Sequence, residues 1–307
     1  IAQATKNTNL GDAIISCTVE KACGSVFCEH CRKRKQDRLY YSFRKHCNER
    51  FGFDEAKASE NLRFISVLHG PVMIDDATFE EELLRKLSIS VDEMKAKVAK
   101  IAKQVKRDGR QIWLRGAIHL EMLDYNMFLF ADMAGAYSTK VETIRQFFRL
   151  NQVTQNRGFL VHFHALVDGY GMSDTTLRNY FTDEWGLVSK QVHLQKTWTK
   201  VAWRDRSGNR GEKTQLLDDN LKGMARYCYN GSNSELRYSE NWGSGKVKQS
   251  DGIVANERLK DEVIGFAVEM QSYNYSSLLT FHDIYMLVMA HYCISGASNR
   301  GLSIGIY

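Results

Sequence analysis

The segment GFLVHFHALV, residues 158–167, is apolar except for two histidines that one residue separates. Its length and composition predict a buried β-strand. Because side chains alternate between the two faces of a strand, His162 and His164 project from one face, and Phe163 projects from the other. Imidazoles on an apolar strand need polar partners, since burying them without partners is costly. The pair therefore indicates either a functional site or two core histidines satisfied by polar neighbours.

This histidine pair is typical of a metal site. Residues two apart in a strand lie about 6–7 Å from each other, so both rings can converge on one ion. Neutral imidazole is a good ligand for Mn, Zn, Fe or Ni and a poorer one for Mg. A second strand is predicted over residues 111–123, and it places Glu121 and His119 on one face. If the two strands are neighbours, Glu121 completes a site of two histidines and a carboxylate. The alternative is an ordinary half-exposed strand.

A helix predicted over residues 214–230 brings a tyrosine to this region, with Gly231 as its stop. Its apolar stripe consists of Leu217, Leu221, Met224 and Cys228. Tyr227 lies beside the stripe, so its hydroxyl can reach a neighbouring sheet face. Phenol has a pKa near 10 and needs activation to attack phosphorus, which a metal bound to the phosphate eases. The alternative is a tyrosine that packs as an amphipathic core residue.

The first fifty residues are basic and rich in cysteine. The pattern Cys17-x5-Cys23-x4-Cys28-x2-Cys31 predicts a tetrahedral zinc site, in which His30, His46 or Cys47 can replace a member. The alternative is four thiols in a reducing cell. Basic residues follow directly, and the whole chain carries a net charge of +6, which is compatible with a phosphate-bearing partner. A solvated helix face explains the same charge run.

Strands and helices mix without regular βαβ alternation, which predicts an α+β protein with a largely antiparallel central sheet. Further strands are predicted over 62–68 and 191–203, and further helices over 78–106 (two), 138–150 with Ser138 as N-cap, 174–185, 256–272 and 276–293. Residues 204–213 are predicted to form a loop, and a Gly/Ser-rich linker is predicted over 238–252. The predicted domains are a Cys-rich, zinc-binding basic segment at 1–55, a central domain at 56–245, which the resemblance described next makes an HUH-like nuclease domain, and a helical extension at 246–307. We expect no membrane span.

In this order, the elements resemble the HUH endonucleases, in particular the plasmid- and phage-type rolling-circle replication initiators. The family's Cys-Gly-x3-Cys-x2-Cys opening is matched by residues 23–31, and its apolar strand by 63–68. A strand with Glu121 and the motif His162-Phe163-His164 follow. The last motif, Tyr-x-x-Lys, is matched less well, because Asn230 stands three residues after Tyr227. The resemblance covers roughly residues 17–235.

An alternative alignment of the last motif matches Arg226-Tyr227 to a Lys-Tyr pair. The position of the nucleophile then falls on Gly223, and Tyr227 becomes the second tyrosine. We favour Tyr227 as the nucleophile, with Tyr229 in reserve. Lys222 or Arg226 would supply the missing positive charge.

The resemblance implies a central antiparallel sheet flanked by helices and a single-strand DNA nicking and joining reaction that forms a 5′-phosphotyrosine. Mg²⁺ or Mn²⁺ would be held by His162, His164 and Glu121, and structural Zn²⁺ by the cysteines. Seven basic residues are the expected DNA contacts: Arg32, Lys33, Arg34, Lys35, Arg115, Lys222 and Arg226.

The expected partner is single-stranded or hairpin DNA at an origin or element end, with a helicase as a further candidate. The expected location is intracellular, in the bacterial cytoplasm or a eukaryotic nucleus. Three alternatives stay open: a rolling-circle transposase, a non-catalytic zinc-dependent nucleic-acid-binding protein, and a metal hydrolase that activates water.

Overall fold

The structure is a computed structural model. It describes residues 16–22, 29–74, 80–124, 143–144, 146–147, 157–188, 190–197, 200–204, 210–214, 216–229 and 303–306. The elements are α1 (Glu29–Phe51), α2 (Glu55–Asn61), β1 (Leu62–Ile74), α3 (Glu80–Arg107), β2 (Trp113–Asp124), β3 (Arg157–Asp168), α4 (Asp174–Trp185), β4 (Val192–Lys196), β5 (Lys200–Arg204), β6 (Arg210–Thr214), α5 (Leu217–Tyr227) and β7 (Ser303–Ile306).

Five strands form one sheet in the order β4-β1-β3-β2-β7, and each neighbouring pair is antiparallel. Strands β5 and β6 pair separately as a hairpin. The predicted α+β class, with a central antiparallel sheet flanked by helices, is confirmed at this level. The histidine strand β3 is the middle strand, so both of its edges are paired and both of its faces are covered.

One face of the sheet is largely apolar and packs against α3 and α4. Helix α3 buries residues at alternating spacings of four and three, namely Leu87, Val91, Met94, Val98, Ile101 and Val105. That spacing is the apolar stripe of an amphipathic helix. It covers Val161, Phe163 and Ala165 of β3. Each large side chain buried here contributes about 1.5–3 kcal/mol of transfer free energy.

The opposite face carries the histidines and is covered by α1, α2 and α5. Helix α5 buries the predicted stripe of Leu217, Leu221, Met224 and Cys228 against the sheet and α1. Helix α2 begins at the N-cap Asp54, whose side chain accepts a hydrogen bond from the Lys57 backbone N–H. Because the histidines lie in this layer, one face of the sheet packs into the apolar core and the other carries the candidate site.

Helix α1 was not predicted, because its buried side contains a histidine and few aliphatic residues. His46 hydrogen-bonds through Nε2 to the fully buried Asp168 at 3.0 Å and stacks on Trp113 with ring centroids 3.9 Å apart. Arg50 lies 3.5 Å from the same carboxylate. The helical part of the predicted 1–55 segment therefore shares the core of the sheet.

The predicted strands over 111–123 and 158–167 and the helices over 174–185 and 214–230 are confirmed within a few residues. The strand predicted over 62–68 begins as expected but continues six residues past its predicted end, to Ile74, because β3 pairs with it that far. Four further predictions need correction. Residues 80–107 form one helix, 191–203 is divided between β4 and β5, β6 lies in the expected loop, and β7 adds an unpredicted strand that pairs with β2.

Residues 143, 144, 146 and 147 are helical, as predicted for 138–150. Ser138, the linker at 238–252 and the helices at 256–272 and 276–293 lie outside the described residues. None of the helices in the described ranges is both long and apolar enough to cross a bilayer.

Candidate metal centre

The strand register brings a third histidine to the predicted pair. His119 of β2 lies directly opposite His162 of β3, and His164 lies opposite Ala117. Residues directly opposite each other in an antiparallel pair project from the same face. On the other side of β3, Ser66 of β1 lies opposite His164. Three imidazoles and a hydroxyl therefore share one small area of the sheet.

The three histidines form a compact cluster. One ligand nitrogen from each lies within 4.8 Å of the others, and the ring centroids are 4.8–5.1 Å apart. His162 and His164 are buried, whereas His119 is half-buried. Among the described residues, these three histidines are the one group of at least three His, Cys, Asp or Glu side chains whose ligand atoms are close enough to share an ion. Three neutral imidazoles fit a transition-metal ion such as Mn²⁺ better than Mg²⁺, which prefers oxygen ligands.

Hydrogen bonds orient two of these rings. Nδ1 of His164 and the Ser66 hydroxyl are 2.6 Å apart, and Nε2 of His119 donates to the backbone carbonyl of Cys228. In metal sites, a histidine ligand almost always engages its second ring nitrogen in this way. Because a carbonyl only accepts, Nδ1 of His119 keeps its lone pair for an ion, and Nε2 of His164 keeps one when Nδ1 donates to Ser66.

Both predicted histidine ligands lie in the cluster, and His119 was missed as a ligand. The sequence placed it on the same face as Glu121 but could not give the register that sets it opposite His162. Glu121 follows two residues later in β2 and pairs with Leu160, so its position is on the same face. Its side chain lies outside the described residues, and its role as a ligand stays a prediction.

The end of helix α5 packs against the cluster. The ring of Tyr227 lies 4.8 Å from the ring of His164, centroid to centroid, and 5.8 Å from that of Phe64. Tyr227 is 49 % exposed and is therefore accessible from solvent. Tyr229 is partly buried and packs on the core beneath α1 and α5. Of the two predicted nucleophiles, Tyr227 is therefore the one positioned beside the cluster.

Cys228 fixes the end of α5 to the sheet. Its thiol donates to the carbonyl oxygen of His164 at 3.4 Å, and its own carbonyl accepts from His119. Burial raises the pKa of the Cys228 thiol well above its ordinary value, so the group stays protonated and serves as a donor. Tyr227 thus precedes a residue that is bonded to two of the three histidines.

The predicted DNA contacts differ in exposure. Lys33, Lys222 and Arg226 are exposed, whereas Arg34, Lys35 and Arg115 are half-buried. Arg34 donates to the carbonyl oxygen of Val19 at 3.1 Å. Arg115 lies on β2, four residues before His119 and on the same face of the sheet. The side chain of Arg32 lies outside the described residues.

Two of the four predicted zinc ligands are close together. The Sγ atoms of Cys17 and Cys31 are 3.5 Å apart, and no disulfide joins them. Thiolates that share a tetrahedral zinc ion, with Zn–S near 2.3 Å, lie about 3.8 Å apart. Beside Cys31, the Nε2 atom of His30 is buried and has no hydrogen-bond partner among the residues that the structure describes. Cys23 and Cys28 lie outside the described residues.

The suggested replacements His46 and Cys47 do not fit this zinc site. They follow Cys31 in the same helix by fifteen and sixteen residues, which places them about 22–24 Å along its axis. His46 is bonded to Asp168. Burial raises the pKa of the Cys47 thiol to about 12, which keeps it protonated.

The fold and site define a class of protein: an α+β domain whose antiparallel sheet presents three histidines to a tyrosine at the end of a helix. No protein-family model matches the chain, and neither a curated protein nor a solved structure matches it.

Proposed function

We propose that this protein cuts and rejoins single-stranded DNA, with Tyr227 as the nucleophile and the three-histidine cluster as the site of a divalent cation. The observation that carries the proposal is the contact of the Tyr227 ring with His164, at 4.8 Å between centroids. A buried cluster of nitrogen donors beside an exposed phenol suits phosphoryl transfer, since it offers electrostatic stabilisation and a nucleophile at one place.

His119, His162 and His164 would hold the cation, and Glu121 is a candidate fourth ligand. When bound, a divalent ion there would supply Lewis-acid stabilisation of charge on the non-bridging phosphate oxygens. The donor set favours Mn²⁺ over Mg²⁺, because three imidazoles are softer ligands than the oxygens that Mg²⁺ selects. A Glu121 carboxylate in the ligand set would raise the affinity of the site for Mg²⁺, which prefers oxygen ligands.

The proposed step is a transesterification, in which one phosphodiester is exchanged for another. The Tyr227 hydroxyl oxygen forms a bond to phosphorus, and the bond from phosphorus to the 3′ oxygen of the upstream strand breaks. The phenol proton passes to solvent, and the 3′ oxygen takes one up. The products are a 5′-phosphotyrosine on the downstream strand and a free 3′-OH, which rejoins in the reverse step or primes synthesis.

The remaining residues position the strand and the nucleophile. The exposed cations Lys222 and Arg226 precede Tyr227 in α5 and would contact phosphates near the reacting one. The Cys228 carbonyl, bonded to His119, keeps the end of α5 against the cluster. A nick that leaves a 3′-OH suits initiation of rolling-circle replication, and that is the biological role we propose.

The test is incubation of the full chain with a pool of labelled single-stranded and hairpin oligonucleotides plus Mn²⁺, followed by mass mapping of covalent adducts. We expect an adduct on Tyr227 that Tyr227→Phe abolishes and Tyr229→Phe retains. Cleavage that persists in Tyr227→Phe without any adduct would contradict the proposal and favour hydrolysis by an activated water. An adduct on another residue would show that Tyr227 is not the nucleophile.

We also propose a structural zinc ion held by Cys17, Cys23, Cys28 and Cys31. The 3.5 Å separation between the Sγ atoms of Cys17 and Cys31 supports it. Elemental analysis should find about one zinc per chain less in Cys31→Ser than in the parent protein. Cys47→Ser is the matched control and should keep zinc, because Cys47 lies sixteen residues further along the same helix. A zinc content unchanged by Cys31→Ser would exclude the site.

A further inference from the structure

Helix α1 carries an exposed tyrosine between two exposed basic side chains. Arg38, Tyr41 and Lys45 are spaced by three and four residues, so they lie on one side of the helix. All three are exposed, and the Tyr41 side chain is 62 % accessible. A single exposed aromatic residue is ordinary on a protein surface. An exposed ring between two cations has the composition of a nucleic-acid stacking platform.

This side of α1 borders helix α5. Tyr40, the preceding residue, donates its hydroxyl to Asp218 of α5 at 2.7 Å, and the Nζ atom of Lys222 lies 5.7 Å from the centre of its ring. The rings of Tyr40 and Tyr41 are 5.3 Å apart. Tyr41 therefore lies one residue outside the contact between the two helices.

Helix α5 connects this border to the proposed nucleophile. Its exposed residues include Lys222, Arg226 and Tyr227. At a rise of 1.5 Å per residue, Lys222 and Tyr227 are separated by about 7.5 Å along the axis. Of the acidic side chains nearby, Asp218 binds Tyr40 and Arg44 and Glu49 lies 3.7 Å from Lys45, whereas Asp219 is exposed. The surface from Tyr41 to Tyr227 therefore carries more cations than acidic groups, together with two exposed aromatic rings.

We propose that Arg38, Tyr41, Lys45, Lys222 and Arg226 form a binding strip for the single strand that flanks the phosphate attacked by Tyr227. In this strip the Tyr41 ring stacks on an unpaired base, and the four cations contact phosphates. The proposal rests on the proposed function, which makes single-stranded DNA the substrate. It commits to a single strand because a ring can stack on a base only when the face of that base is exposed.

Binding is measured in the Tyr227→Phe background, so that no covalent product forms, and without added divalent cation. The probe is a fluorescent single-stranded DNA of mixed sequence, followed by anisotropy at several salt concentrations. Tyr41→Ala should weaken binding about 5- to 100-fold, as expected for loss of one stacked base, and Tyr41→Trp should retain it. Lys222→Ala should weaken binding and reduce the salt slope by about one.

Leu187→Ala is the matched control, since it removes an exposed apolar side chain after α4, outside the strip, and should leave the affinity unchanged. Far-UV circular dichroism and thermal melting verify that Tyr41→Ala is folded. An affinity within two-fold of the parent for folded Tyr41→Ala overturns the strip, as does an equal loss for a fully duplex probe. The adduct assay separates the two proposals. If Tyr227 forms an adduct but Tyr41→Ala binds DNA normally, only the strip is rejected. If Tyr41→Ala weakens DNA binding but Tyr227 forms no adduct, only the nicking reaction is rejected.

Discussion

His119 donates a hydrogen bond from Nε2 to the backbone carbonyl of Cys228, the residue directly after Tyr227. A carbonyl only accepts, so this bond fixes the proton on Nε2 and leaves Nδ1 as the nitrogen with a lone pair for an ion. The same bond joins strand β2 to the end of helix α5. The metal cluster and the proposed nucleophile are therefore linked through one side chain, and a change at His119 affects both.

His119→Ala should accordingly lower Mn²⁺ affinity and slow adduct formation together. Removing a hydrogen-bond partner of a metal ligand typically lowers metal affinity or activity about 10- to 100-fold. Removing a ligand itself, together with the bond that orients the helix end, should lower each by at least that much. Titration calorimetry with Mn²⁺ and single-turnover adduct assays measure the two effects. Asn179→Ala, at an exposed position of α4 on the other side of the sheet, is the control and should change neither. A normal Mn²⁺ affinity for His119→Ala would remove His119 from the ligand set.

Ser66→Ala tests the orientation of His164. The Ser66 hydroxyl lies 2.6 Å from Nδ1 of that ring, and its loss leaves the ring free to rotate. We expect Mn²⁺ affinity to fall about 10-fold or more, with little change in melting temperature. Ser59→Ala removes a hydroxyl that donates to the Thr197 carbonyl and serves as the control. Equal Mn²⁺ affinities for the two variants would show that Ser66 has no part in the site.

The histidine pair was predictable because a period of two is a local property of the sequence. His162 and His164 lie in an apolar run, and alternation alone places them on one face. The apolar stripe of α5 was predictable for the same reason, from its spacing of three and four residues. Tyr227 follows from that stripe, since the helix turns it toward the same layer of the structure.

The third histidine was not predictable, because register is a property of two strands. A shift of one residue between β2 and β3 would turn His119 to the opposite face. Helix α1 was missed for a related reason. Its buried side includes His46, which becomes a core residue only because Asp168 lies at the end of β3 to receive it. Such polar pairs link elements that are 122 residues apart and leave no local pattern.

Glu121→Gln tests the carboxylate that the sequence assigns to the site. If Glu121 joins the three imidazoles, its loss should reduce cleavage supported by Mg²⁺ by at least 10-fold and cleavage supported by Mn²⁺ by less, because Mg²⁺ depends more on oxygen ligands. Adduct yield against the concentration of each metal measures this. Asp183→Asn, at an exposed position of α4 on the other side of the sheet, is a control for the lost charge. A variant with unchanged dependence on both metals would leave the cluster as three histidines alone.

Gly116→Ala should destabilise the sheet at the site. A Cβ at position 116 would lie 2.0 Å from the backbone oxygen of His164 and 2.6 Å from the Cα of Ala165, so the backbone of β3 must move. Overpacking of this kind costs about 1–3 kcal/mol of the free energy of unfolding. Because His164 moves with its backbone, Mn²⁺ affinity should also fall. Urea unfolding and Mn²⁺ titration measure both effects.

Gly223→Ala is the matched control for this change, because nothing lies within 4 Å of its added Cβ and the residue is in helix α5. Alanine is the better helix former by about 1 kcal/mol, so the control should be neutral or slightly more stable. A Gly116→Ala protein as stable as the parent would mean that β2 and β3 pack less closely than the structure has them.

His69 should make the protein less stable in acid. Burial is the main cause that lowers the pKa of His69 from 6.5 to about 4, and the charge of Lys97 adds to it. Its Nδ1 accepts a hydrogen bond from Trp185 Nε1 at 3.0 Å, and protonation would replace that acceptor with a second donor. Because the unfolded chain binds the proton more tightly, the stabilisation is complete above pH 6.5 and is lost as the pH falls toward 4.

A shift of this size corresponds to at most about 3 kcal/mol of the free energy of unfolding. His69→Asn keeps an acceptor for Trp185 but does not titrate, so its stability should change less between pH 6.5 and pH 4. Urea unfolding of both proteins across this range measures the difference in slope, and the other acidic groups cancel in the comparison. Parallel curves would show that His69 is as easily protonated in the folded protein as in the unfolded chain, and that the pocket formed by Trp185, Glu93 and Lys97 does not exclude the proton.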